Sequence, residues 1–120
     1  MERLLALKPL PTAVMCSNDM TAIGVLHELY RAGLRVPDDF SVIGFDDIHI
    51  AAVTIPPLTT VQMSRFELAR SAFNALRAHV EATEEREGKR EYRIQTDLVV
   101  RESTGFPRGT MSGIRKRKRV

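Results

Sequence analysis

The chain has 120 residues, 43% of them apolar and 28% charged, with a formal net charge of +3. That length supports one domain with a real core and is short for two, and the composition is ordinary for a soluble globular protein. No run approaches the roughly 18 apolar residues that a membrane helix needs, and the opening segment is a poor export signal because Pro9 and Pro11 interrupt it.

A cytoplasmic protein is therefore expected. Its single cysteine, Cys16, cannot form an internal disulfide, which fits a reducing compartment. The positive charge belongs to the tail. Arg115, Lys116, Arg117, Lys118 and Arg119 are five of the 18 basic groups, and without them 13 face 15 acidic groups, a balance of −2. Residues 105–120 read as a disordered basic end, capable of touching an acidic surface or nucleic acid without saying anything about the folded body.

In chain order, residues 2–7 read as the last turns of a helix, stopped by Lys8-Pro9-Leu10-Pro11. Residues 12–16 form a short apolar run without polar alternation, the pattern of a strand buried on both faces. Ser17, Asn18 and Asp19 all favour helix N-caps, and a helix is predicted from about Met20 to Ala32. Ala22, Val25, Leu26 and Leu29 give it one apolar stripe, while Ile23, His27 and Tyr30 make a second that needs a different partner. Gly33 is placed as a left-handed C-cap, with Leu34 as its hydrophobic follower.

Residues 40–45 read as another buried strand, ended by Asp46-Asp47. A loop through Pro56-Pro57 leads to a third strand at 58–61. A second helix is predicted over 64–80, with Phe66, Ala69, Phe73, Leu76 and Val80 on one face. Residues 84–90 are a charged surface loop. Tyr92, Ile94, Thr96, Leu98 and Val100 then alternate with polar neighbours, as in a half-exposed strand. Strand, helix, strand, strand, helix, strand argues for an α/β fold with a mostly parallel sheet.

Ligands bind open parallel sheets beyond the carboxyl ends of the strands. Asn18-Asp19 and Asp46-Asp47 both fall there, and if their strands are neighbours they converge on one rim. Asn offers donor and acceptor and Asp offers acceptors, a combination suited to vicinal hydroxyls. Asn18 could equally cap its helix and Asp46 a turn. Enzyme chemistry has less support. There is no glycine-rich phosphate loop and no nucleophile elbow, and His27, His49 and His79 are too scattered for zinc. Cys16 reads as a small core residue. No catalytic residue, metal or cofactor is expected.

Four segments resemble a known family. Pro11 to Gly24 is similar to its pattern PTAxxxxNDxxAxG, and Gly33 to Asp47 to GLxVPxDxSVxGFDD. Residues 56–61 (Pro-Pro-Leu-Thr-Thr-Val) match PPLTTV, and 98–104 match the closing LVxRxST. All four stand in family order and spacing. Over about residues 3–104 the chain resembles the C-terminal part of the lactose-repressor (LacI/GalR) family.

The resemblance implies part of a type I periplasmic-binding-protein fold, with residues 2–104 supplying C-terminal lobe elements and the crossover helix 64–80. It implies a ligand-sensing and dimerising module of a bacterial transcription regulator, whose effector is a sugar or related metabolite. The asparagine matching Asn18 and the aspartate matching Asp46 bind effector in the family, and the position matching Arg65 faces the cleft in some members. Met63 stands where many relatives have glutamine and Met20 where some have a polar group, which makes that wall more apolar. The first helix and the loop before Pro56 resemble the family's dimer surface. Ile23, His27, Tyr30 and Thr54 are thus expected at a symmetric homodimer contact.

Family members begin with a helix-turn-helix that enters the major groove. Nothing similar precedes residue 2, so operator DNA would be reached only through such an N-terminal part. Other readings are a solute-binding protein of a sugar transporter with the same fold, salt-sensitive nucleic-acid binding by the tail, and a metal-dependent enzyme using Asp46 and Asp47.

Overall fold

A computed structural model describes residues 2–81 and 91–107. The charged loop at 84–90 and the basic run at 115–119 lie outside the described residues.

A short helix, α1 (Glu2–Leu5), leads into strand β1 (Ala13–Met15) and helix α2 (Asp19–Arg31). Strand β2 (Ser41–Phe45), a 3-10 turn (His49–Ala52), strand β3 (Thr59–Met63), helix α3 (Arg65–Val80) and strand β4 (Thr96–Val99) follow. The strands form one sheet in the order β1-β2-β3-β4. β1, β2 and β3 are parallel, with Met15 opposite Ile43 and Phe45 opposite Val61. β4 closes the edge antiparallel to β3, pairing Thr96 with Met63. The expected mostly parallel α/β sheet is therefore present.

The caps of α2 follow from its sequence. The Asn18 side-chain oxygen accepts from the Thr21 N–H at 2.8 Å, and Gly33 takes the left-handed conformation at φ +72°. That geometry lets the Leu34 N–H reach the Leu29 carbonyl at 3.0 Å and satisfy an otherwise orphaned group. The stripe Ala22, Val25, Leu26 and Leu29 is buried against Phe40 and Val42, and Cys16, Ala51 and Leu58 complete the core. Burial pushes the Cys16 thiol above its ordinary pKa, which keeps it protonated and unreactive at neutral pH.

Two expectations fail for one reason. β1 is not buried on both faces: Val14 is half-buried while Met15 is 65% exposed. The alternating strand expected over 92–100 is ordered only at Thr96–Val99, and Leu98 and Val100 are exposed, with Val99 the half-buried residue. Both are edge strands, and α3 does not cover them, because none of its side chains is buried.

The segment 101–105 stitches the sheet. The buried Ser103 hydroxyl donates to the Val42 carbonyl at 2.6 Å and accepts from the Thr59 N–H at 2.8 Å, bridging β2 and β3 at the start of their pairing. The Gly105 N–H donates to the Ser41 hydroxyl at 3.0 Å. Sequence periodicity placed the end of ordered structure at Thr104. The anchoring depends on two serine hydroxyls that meet backbone groups far away in the chain, a pattern without periodicity.

Candidate functional site

Because β2 and β3 are parallel, their carboxyl ends lie on the same rim, and β4 begins there. A pocket of about 340 Å³ opens at this point. The end of β2 contributes Asp46 and Asp47, the end of β3 Met63, Ser64 and Arg65, and the approach to β4 Gln95. Three of the residues expected to bind ligand, Asp46, Met63 and Arg65, are thus brought together.

Asn18 and Met20 are not among the residues lining this pocket. Asn18 does stand at the carboxyl end of the neighbouring strand, three residues past Met15 as Asp46 is past the paired Ile43. Its side-chain oxygen caps α2, and its amide N–H groups have no partner among the described residues. Met20, in the first turn of α2, is exposed.

The backbone at Asp46 and Asp47 is unusual. Both have positive φ, 111° and 48°, conformations that cost about 1–3 kcal/mol each for a residue with a Cβ. Surrounding bonds hold them. The Asp46 N–H donates to the Val61 carbonyl at 2.9 Å. The Asp47 carboxylate accepts from Gln62 Nε2 at 2.8 Å and from an Arg101 guanidinium nitrogen at 2.6 Å. Asp47 and Arg101 are both mostly buried. The Asp46 carboxylate and the Arg65 guanidinium, by contrast, have no hydrogen-bond or ion-pair partner among the described residues. The pocket therefore presents one unpaired anion and one unpaired cation beside the apolar side chains of Met63 and Phe66.

Asp19, which the sequence places beside Asn18 at the rim, has a different part. It is fully buried, accepting from the Thr60 hydroxyl at 2.5 Å and from the Ile48 N–H at 2.9 Å. Its carboxylate fixes the start of α2 to β3 and to the loop after β2, and it is not among the residues lining the pocket. Its N-cap-like context concealed a role that only the fold creates.

The second candidate surface lies on α2. Ile23 is half-buried, and His27 and Tyr30 are exposed, Tyr30 by 83%. Thr54 is half-buried, its hydroxyl donating within its own loop to the carbonyls of Ala51 and Pro56. Beside it Ile55 is 96% exposed, and a cleft of about 350 Å³ runs between Leu26, Tyr30, Leu34, Val36, Ile55 and Pro56. Among the described residues no cluster of three His, Cys, Asp or Glu could hold a metal, and no helix is long and apolar enough to cross a membrane.

Residues 1–104 match the periplasmic binding protein-like domain family. The chain belongs to that family. Its sequence is of the lactose-repressor type within it. It is 43% identical over 106 residues to the HTH-type transcriptional repressor PurR of Haemophilus influenzae, covering 86% of this chain and 31% of the repressor. Among solved structures it resembles a LacI family transcriptional regulator from Lactobacillus casei with bound sucrose, at TM-score 0.66 and 30% identity, covering 86% of this chain and 38% of that one. It also resembles the lac repressor dimer bound to operator and the anti-inducer ONPF, at TM-score 0.68 and 31% identity, covering 81% and 33%. The chain spans about a third of the length of the PurR protein it matches. This membership accounts for the parallel sheet with a pocket at its strand ends, the arrangement expected of a periplasmic binding protein-like domain.

Proposed function

We propose that this chain is the ligand-sensing and dimerising portion of a lactose-repressor-type transcription regulator. A sugar or related metabolite binds against Asp46, Met63 and Arg65, with the Asn18 amide as a further donor on the adjacent strand. The observation that carries this reading is the unpaired Asp46 carboxylate. It is held at a positive φ, in the same pocket as an unpaired guanidinium, at the strand-end rim where α/β sheets receive ligands. Operator DNA would be engaged by a helix-turn-helix elsewhere in the regulator, and binding would alter operator affinity through a homodimer built on the α2 face. The chemistry is recognition and not catalysis: Cys16 is buried and protonated, and the pocket holds no histidine. The relatives named above are transcription regulators, which favours this reading over a transporter's solute-binding protein.

The test is calorimetric titration of the full-length regulator with a panel of hexoses, disaccharides and nucleobases. Replacing Asp46 with Ala weakens the binding that the panel reveals by about 1.5–3 kcal/mol, the range for a hydrogen bond to a charged group. Unchanged affinity in a folded Asp46→Ala protein would remove Asp46 from the site. A panel that produces no heat at all would remove the sugar-like effector class.

A further inference from the structure

Asp46 cannot point into the pocket by its own preference, because an L-residue at φ 111° followed by another at φ 48° is a rare backbone step. Something outside the strand must hold it. Arg101 is in a position to do so. One guanidinium nitrogen donates to the Leu58 carbonyl at 2.8 Å, at the start of β3, and the other to the Asp47 carboxylate at 2.6 Å, past the end of β2. The backbone of Arg101 is itself fixed, its N–H donating to Thr59 Oγ1 at 2.9 Å. The side chain is only 19% exposed and its partner Asp47 13%, so water competes little for the pair. A planar fork tied to a fixed carbonyl at one end fixes the carboxylate at the other. Gln62 closes the opposite side of that carboxylate at 2.8 Å.

We infer that Arg101 is a positioning residue for the pocket: by clamping the Asp47 carboxylate against the Leu58 carbonyl it maintains the left-handed Asp46–Asp47 step and so sets the direction of the Asp46 carboxylate. This rests on the reading of the pocket as an effector site, but the clamp itself can be measured without any ligand. Asp47 is then a binding residue only in appearance. Although it lines the pocket, its charge is used internally, and Asp46 alone meets the ligand as a free anion.

The experiment compares amide hydrogen exchange and backbone scalar couplings in the native chain, Arg101→Met and Arg101→Lys. In Arg101→Met the Asp46 amide, which bonds to the Val61 carbonyl, exchanges about ten- to a hundredfold faster, the equivalent of one lost charge-assisted hydrogen bond. The couplings at Asp46 and Asp47 leave the positive-φ range. Amides in the middle of α2, such as Leu29, slow or speed by less than about threefold, because the change is local. Arg101→Lys, which keeps the charge but reaches one acceptor at a time, leaves most of the protection lost, because charge alone does not bridge the Leu58 carbonyl and the Asp47 carboxylate. If Arg101→Met fails to fold, Asp47→Ala carries the same comparison, since it removes the carboxylate that the guanidinium holds.

The inference is overturned if Asp46 and Asp47 keep positive φ without the guanidinium. It is overturned equally if exchange at Asp46 and Leu29 rises by one common factor, which would make Arg101 a general stabiliser. The two proposals fail separately: an Asp46→Ala variant with unchanged effector affinity removes the site and leaves the clamp, whereas a positive φ that survives in Arg101→Met removes the clamp and leaves the site.

Discussion

Asp19 and Gly44 are in close contact at the centre of the sheet, and each explains the other. The buried Asp19 carboxylate lies directly over Gly44, where a Cβ would overlap Asp19 Oδ1 and approach Leu58 Cδ2 to 3.0 Å. The carboxylate cannot retreat, since Thr60 and Ile48 both hold it. Gly44→Ala is therefore expected to destabilise the chain by about 1–3 kcal/mol, the usual range for overpacking. Gly24, in the middle of α2, has open space around it, so Gly24→Ala should stabilise by about 0.5–1 kcal/mol through helix propensity alone. Opposite signs in urea denaturation of the two variants would bear out this account, and a neutral Gly44→Ala would refute it. At this scale the sequence was legible where a residue acts through its place along the chain. Asp46, Met63 and Arg65 follow strand ends, and Gly33 follows a helix end. Asp19, Ser103 and Arg101 act through partners 29 to 61 residues away, and no local pattern marks such pairings.

The elements divide along the same line. α2 was readable because both of its stripes have a physical meaning, one packed on β2 and one turned outward. β2 and β3 were readable as apolar runs bounded by turn residues. β1 and β4 were misjudged in their burial, because hydrophobic sequence reports a capacity for burial and not the presence of a cover. α3 is the clearest instance. Its spacing makes a good amphipathic helix with a Ser64 N-cap that accepts from Glu67 N–H at 3.2 Å, yet Phe66, Phe73, Leu76 and Val80 are all exposed. The two helices should thus respond differently to the same kind of truncation. Leu29→Ala removes a fully buried side chain and is expected to cost about 3 kcal/mol. Phe73→Ala deletes a larger side chain and should change stability by no more than about 0.5 kcal/mol. Thermal or denaturant unfolding of both variants, under dilute monomeric conditions, measures the contrast. A loss at Phe73 comparable to that at Leu29 would mean that α3 is packed against the sheet.

Among the described residues, one apolar surface lies on α2 with the neighbouring loop and another on α3, and they differ in kind. The α2 surface is a cleft with Tyr30 and Ile55 exposed beside it. The α3 surface is a row of large side chains along one exposed helix. Contiguous exposed apolar area of this sort drives association in water. The chain is accordingly expected to self-associate, and the two surfaces can be separated by charge. Ile55→Glu places a carboxylate at the most exposed apolar side chain of the α2 surface and should weaken a symmetric dimer about 30-fold or more, as loss of an interface hot spot does. Phe73→Glu should act on the α3 contact and leave the first untouched, so that only the double variant is monomeric. Light scattering and sedimentation across a concentration series distinguish these cases. A native chain that stays strictly monomeric at high concentration would show that neither face is used between copies. Association abolished by Phe73→Glu alone would take the dimer role away from Ile23, His27, Tyr30 and Thr54 and give it to α3.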